Sequence, residues 1–138
     1  MEMFQAAIGL LLLEQNGRTL DSFFEDNDVS RIALYGMGAL GCRAYDSLMK
    51  SKTEVLCAFD KEAHRFSPEN ELAIYPPEKI LSLTAEEKPD LIVITSQRYY
   101  YDIRDEWKDK TDIPMISIGE VVEYCVVGED LERIKKMK

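Results

Sequence analysis

An α/β fold is what this sequence predicts: a doubly wound, five-stranded parallel sheet with helices on both faces and an added N-terminal helical segment. Three observations lead there. Apolar runs without polar alternation recur at Arg31–Tyr35, Glu54–Phe59 and Leu91–Thr95, as expected of strands buried on both faces. Stretches of helical periodicity separate them, which is the alternation that builds a parallel sheet. A glycine-rich turn, Gly36-Met37-Gly38-Ala39-Leu40-Gly41, follows the first run and opens a helix. A length of 138 residues suits one compact unit over residues 29–138, with residues 1–28 as a helical extension.

Met1 to Leu13 is apolar, but it carries Glu2, has no basic lead-in, and is too short to span a bilayer. It reads as an amphipathic docking helix ending at Asn16-Gly17, with Ile8, Leu11 and Leu12 at helical spacing. Those residues cover either the sheet's own flank or a neighbour's surface, which leaves a homo-oligomer or docking to a glycosyltransferase-type partner open. Thr19 caps a second short helix through Glu25, with Leu20, Phe23 and Phe24 on one side. After the first strand, Leu40, Ala44 and Leu48 give the next helix a buried stripe.

Glu54–Phe59 is the second strand and ends at Asp60; the polar stretch 61–70 reads as a loop. Leu72–Tyr75 is a weak third strand halted by Pro76-Pro77, followed by a short helix over Glu78–Leu81. Pro89-Asp90 introduces the fourth strand. Arg98–Lys110 reads as a helix, Ile113–Ile118 as the fifth strand and Val121–Val126 as the start of another helix. Glu129–Lys138 is a terminal helix, acidic at its start and basic at its end, as the helix dipole favours.

Composition narrows the function classes. Lys and Arg number 17 against 26 Asp and Glu, so no broad basic surface exists for a nucleic-acid backbone. The 3 cysteines, Cys42, Cys57 and Cys125, are odd in number and far apart, and the single His, His64, sits in a polar stretch. No metal-ligand spacing or disulfide framework results, and a reducing, cytoplasmic setting is expected.

The glycine turn carries the chemistry. In a G-x-G-x-x-G that leaves a strand and opens a helix, the first glycine makes the tight turn. The second lets a pyrophosphate approach the backbone, and the third lets the helix pack on the sheet. Here those are Gly36, Gly38 and Gly41, with Met37, Ala39 and Leu40 supplying the intervening backbone; the free N–H groups of the helix start attract the anion. Asp60 lies 19 residues after Gly41 at the end of the next strand, placed to accept from a ribose 2′- and 3′-hydroxyl pair. Thr95 and Ser96 leave the fourth strand on the same carboxyl edge, where ligands of open α/β sheets sit, and are further contact candidates.

With Ile32-Ala33-Leu34-Tyr35-Gly36-Met37-Gly38, Phe59-Asp60, Tyr75-Pro76-Pro77-Glu78 and Pro89-Asp90-Leu91-Ile92-Val93-Ile94-Thr95 in this order, most of the chain resembles a family of small Rossmann domains. These are the N-terminal nucleotide-binding modules of bacterial surface-polysaccharide proteins, attached to sugar-nucleotide epimerase/dehydratases, glycosyltransferases and sugar acyltransferases. The resemblance implies a bound NAD or a nucleotide-sugar and carries over no catalytic residue.

Other constellations point away from catalysis. The only Tyr-x-x-x-Lys, Tyr75 to Lys79, is broken by Pro76 and Pro77 and lies at a strand end, not on a helix where Lys would lower the phenol's pKa. Cys42 sits in the first turn of the glycine-loop helix and reads as a small packed residue. Tyr99-Tyr100-Tyr101 lacks a basic groove and reads as rings anchoring a helix. Asp102, Asp105 and Glu106 with Arg104 and Lys108 read as a solvated face. Three functions remain: a binding module for NAD(H) or a nucleotide-sugar that performs no chemistry alone, a catalytic domain or subunit of a nucleotide-sugar enzyme completed by another segment, or a scaffold with an empty site.

Overall fold

In the computed structural model, which describes residues 1–66 and 71–137, five parallel strands form one sheet: β1 (Arg31–Tyr35), β2 (Glu54–Phe59), β3 (Ile74–Tyr75), β4 (Leu91–Ile94) and β5 (Met115–Ser117). Their order is β3-β2-β1-β4-β5. The chain therefore runs outward from β1 to β3, returns to pair β4 against the other side of β1, and continues outward. The order reverses between β1 and β4, and that switch opens a crevice at the carboxyl edge. The expected α/β architecture is the one observed.

Two cores lie on opposite faces of the sheet. On one face, Ile32, Leu34, Ala58, Leu91 and Val93 meet helices α1 (Met3–Gln15), α2 (Asp21–Asp26), α3 (Ala39–Leu48) and α5 (Ile118–Cys125). Ile134 of α6 (Gly128–Lys135) joins the same cluster. On the other face, Ala33, Tyr35, Cys57, Phe59, Ile92 and Ile94 meet α4 (Tyr100–Trp107) through Tyr100, Ile103 and Trp107, and a 3-10 segment (Pro77–Ser82) through Ile80. Alternate strand residues serve alternate cores, which is why these strands are apolar at successive positions.

α1 packs within the chain, against α3, α5 and α6. Its buried residues are Ala6, Gly9, Leu10 and Leu13, whereas Ile8, Leu11 and Leu12 are only half-buried. A helix apolar on nearly every side gives periodicity no preferred direction. Gly9 decides the docked side, because a Cβ there would collide with the Val122 side chain of α5. The helix ends as expected: Gly17 at φ +65° lets Arg18 N–H reach the Leu13 carbonyl at 2.8 Å and Gly17 N–H reach that of Glu14 at 3.1 Å.

Several boundaries moved for local reasons. β3 pairs over two residues instead of four before Pro76, and a 3-10 helix replaces the expected Glu78–Leu81 helix. β5 stops at Ser117 because its hydroxyl accepts from Glu120 N–H at 3.2 Å and starts α5 three residues earlier than Val121. α4 is shorter than Arg98–Lys110, and Tyr100 alone of the three tyrosines is buried against the sheet. The expected 61–70 loop contains a short 3-10 turn, Ala63–Arg65; its positions 67–70 lie outside the described residues, as does Lys138 of the terminal helix. Among the described residues, no helix is long and apolar enough to cross a membrane.

Candidate nucleotide site

Gly36 leaves β1 at φ +106°, and a Cβ there would stand 2.6 Å from the Thr95 hydroxyl. Both facts require glycine. Thr95 explains the tightness: its buried Oγ1 lies 2.7 Å from the Gly36 carbonyl and 3.1 Å from that of Tyr35, and it donates to this turn. Thr95 thus reaches the site through the loop it fixes. Gly41 faces the same turn, and a Cβ there would overlap the Gly36 carbonyl oxygen, so α3 approaches the loop as closely as the third glycine of the motif allows.

Gly38 differs from both. It caps α3 at φ −70°, and a Cβ built on it would meet nothing within 4 Å. No neighbouring atom fills the space beside Gly38, so a ligand can approach its backbone. Ala39 beside it is exposed, while Met37 and Leu40 bury their side chains in the core and offer the site only backbone. The first-turn N–H groups of Ala39, Leu40 and Gly41 have no partner within the helix and form its positive end.

Asp60 closes the loop from the neighbouring strand. Its Oδ2 accepts from Met37 N–H at 2.7 Å and its Oδ1 from Glu62 N–H at 2.8 Å. The carboxylate therefore braces the glycine turn, and each oxygen keeps a lone pair for a further donor such as a ribose hydroxyl. Met37 N–H is consequently committed to Asp60 and cannot serve a phosphate.

A cavity of about 380 Å³ opens at the ends of β1, β2 and β4 under α4, with Gly36, Asp60 and Ser96 among its walls. Those three sequence candidates come together there. The remaining walls are Tyr35, Lys61, Tyr99, Asp102, Ile103 and Glu106; of these, the sequence pattern places Tyr99 among helix-anchoring rings and Asp102 and Glu106 on a solvated face. The spacing of Tyr99, Asp102, Ile103 and Glu106 along one side of a helix was legible. That this side borders the crevice was not. Burial pushes the Tyr35 phenol above its ordinary value, and its hydroxyl has no hydrogen-bond partner among the described residues.

The other reactive groups stand outside the cavity wall. Tyr75 and Lys79 are related by stacking, with the ammonium 5.4 Å from the ring centroid, and Lys79 pairs with Glu87 at 3.3 Å. His64 is exposed beside Glu62. Cys57 is buried in the second core, and that burial pushes its thiol up to about 11. Cys42 is exposed on the α3 first turn. Among the described residues no group of three or more His, Cys, Asp and Glu is arranged to hold a metal ion.

No curated protein and no solved structure shows significant similarity to the chain. A protein-family model does match, over residues 28–118, a span that runs from the turn before β1 to the first residue of α5 and includes the glycine loop, Asp60 and the cavity. With most of its length covered, the chain belongs to the C2185-like, N-terminal domain family.

Proposed function

We propose that this domain is a nucleotide-binding module, for NAD(H) or a nucleotide-sugar, that performs no catalysis on its own. The observation that carries the reading is the contrast between the glycines: Gly36 and Gly41 are required by the fold, while Gly38 is free of it and faces open space at the α3 N-terminus. Asp60 beside the loop has acceptor capacity left for a ribose, and the adjoining cavity has room for the nucleoside. The separation of Tyr75 and Lys79 from that cavity supports a binding role over a reductase or epimerase one. The resemblance of the strand and loop sequences to polysaccharide-biosynthesis modules supports a place in surface-polysaccharide or sugar-nucleotide metabolism.

Thermal unfolding in the presence of millimolar NAD, NADH, UDP-sugars and GDP-sugars tests this. A ligand at a hundred times its dissociation constant stabilises the fold by roughly 2.7 kcal/mol. Gly38→Val should abolish the ligand-induced rise and cost the free protein no more than about 1 kcal/mol, the loss from a less favourable helix N-cap. Asp60→Ala is a poorer probe, since it also removes the brace on Met37 N–H. A rise that survives Gly38→Val would refute the assignment of the loop.

A further inference from the structure

We propose that the site takes an aminopurine nucleoside diphosphate as a mononucleotide, because the chain's own Gln97, Met1 and Gly119 fill the second half of the dinucleotide crevice. This rests on the nucleotide-binding reading and narrows it.

In an open parallel sheet a dinucleotide lies across the carboxyl edge, one nucleotide on each side of the switch in strand order. Here the two sides are unequal. On the β1–β2 side lies the cavity of about 380 Å³, at the small end of the range for ligand sites. On the β4–β5 side, Gln97 leaves the β4 loop and spans to the start of α5. Its Oε1 accepts from Gly119 N–H at 3.3 Å, and its Nε2 donates to the Met1 carbonyl. The junction is tight: a Cβ on Gly119 would collide with the Gln97 amide and stand 3.3 Å from Met1 Cβ. Met1 is held there by α1, which is anchored through Ala6, Leu10 and Leu13 in the core. Opening that half breaks both Gln97 bonds and displaces the start of a packed helix.

The lining of the open half selects the base. Asp102 and Glu106, four apart on α4, join Asp60 on its walls, and carboxylates only accept hydrogen bonds. An exocyclic amino group, as on adenine, guanine or cytosine, donates to them, and of these bases the purines offer the larger surface for stacking. Uracil offers a single N3–H between two carbonyl oxygens, which the carboxylates repel. Ile103 gives an apolar wall, and the half-exposed Tyr99 ring, with the Arg98 guanidinium 5.3 Å from its centroid over one face, has a second face on which a base can stack.

Calorimetric titration of the whole chain with ADP, GDP, UDP and NAD decides the matter. ADP or GDP should bind at least tenfold more tightly than UDP, the two arms separating adenine from guanine, and NAD should bind no more tightly than ADP. Gln97→Ala should raise NAD affinity relative to ADP at least threefold and leave ADP unchanged. Asp102→Asn with Glu106→Gln should narrow the gap between the purine nucleotide and UDP. UDP equalling ADP and GDP, NAD exceeding ADP tenfold in the unaltered protein, or an NAD-to-ADP ratio unmoved by Gln97→Ala would each overturn the inference while leaving a nucleotide site intact. Silence from all four nucleotides would overturn the nucleotide-binding reading itself.

Discussion

Two glycines two residues apart, Gly36 and Gly38, answer to different demands. Gly36 is held at φ +106° with the Thr95 hydroxyl against the place a Cβ would occupy. Gly36→Ala combines a disfavoured backbone with a clash, and should destabilise the fold by about 1–3 kcal/mol in urea unfolding. An unchanged midpoint would mean that the turn relaxes freely. Gly38 carries neither constraint and matters to stability only as the α3 N-cap, so its substitution bears chiefly on ligand. Thr95 shows the same division from the other side. Thr95 is a ligand candidate by its place at the carboxyl edge, and with its proton given to the Gly36 and Tyr35 carbonyls it can meet a ligand only as an acceptor. One-dimensional position locates an edge residue; only the partner of its polar atom says whether a ligand can use it.

Among the elements, α1 shows where composition misleads. It is apolar on most sides, so the sequence supports both docking within the chain and docking on a partner. The structure buries Ala6, Gly9, Leu10 and Leu13 against α3, α5 and α6. If α1 belongs to this core, Leu10→Ala should cost about 2–5 kcal/mol, the range for a buried leucine, measured by urea unfolding at fixed pH. A cost below about 0.5 kcal/mol would make α1 an independent appendage. α5 was legible in a different way. Ser117-Ile118-Gly119-Glu120 carries Ser and Glu at the spacing of a helix start, which sets the boundary three residues before Val121. Leu72 has the character of a strand residue, but its side chain goes to a core while only Ala73 to Tyr75 make backbone bonds to the β2 region.

For the whole molecule, acid stability gathers at two carboxylates that tie distant segments. Asp90 accepts from Ser30 and Arg31 N–H, both at 3.1 Å, joining the start of β1 to the start of β4. The Ser30 bond foremost, against partial burial, holds its carboxyl below the ordinary 3.8. Asp21 joins α2 to the turn before β2 through Lys52 N–H and the Thr53 hydroxyl. Partial burial raises its carboxyl, but those bonds together outweigh it and the net direction is down. A depressed folded value means the folded state binds fewer protons than the unfolded one. Their stabilisation is therefore complete above about pH 4 and is lost as pH falls through the folded values. Urea midpoints should be level between pH 5 and 7 as far as these two groups act, and fall below pH 4. Asp90→Ala should lower the midpoint at pH 7 and shrink the acid-side fall; an equally steep fall would place the acid sensitivity elsewhere.

The parallel α/β class, the glycine turn after the first strand and the acid at the end of the second are readable from the residues themselves. These are local signals: unbroken apolar runs, glycines at fixed spacing and a carboxylate one strand away need no tertiary partner to be read. The tertiary structure alone decided the strand order, the side on which α1 docks and the spending of Thr95 on the turn. It alone brought Asp102 and Glu106 onto the cavity and Gln97 and Met1 onto the opposite half of the crevice. Each of those depends on which distant surfaces meet. A helix with several apolar sides, or a polar side chain at a sheet edge, fits more than one such meeting, and the sequence states the side chain's chemistry without stating what it touches.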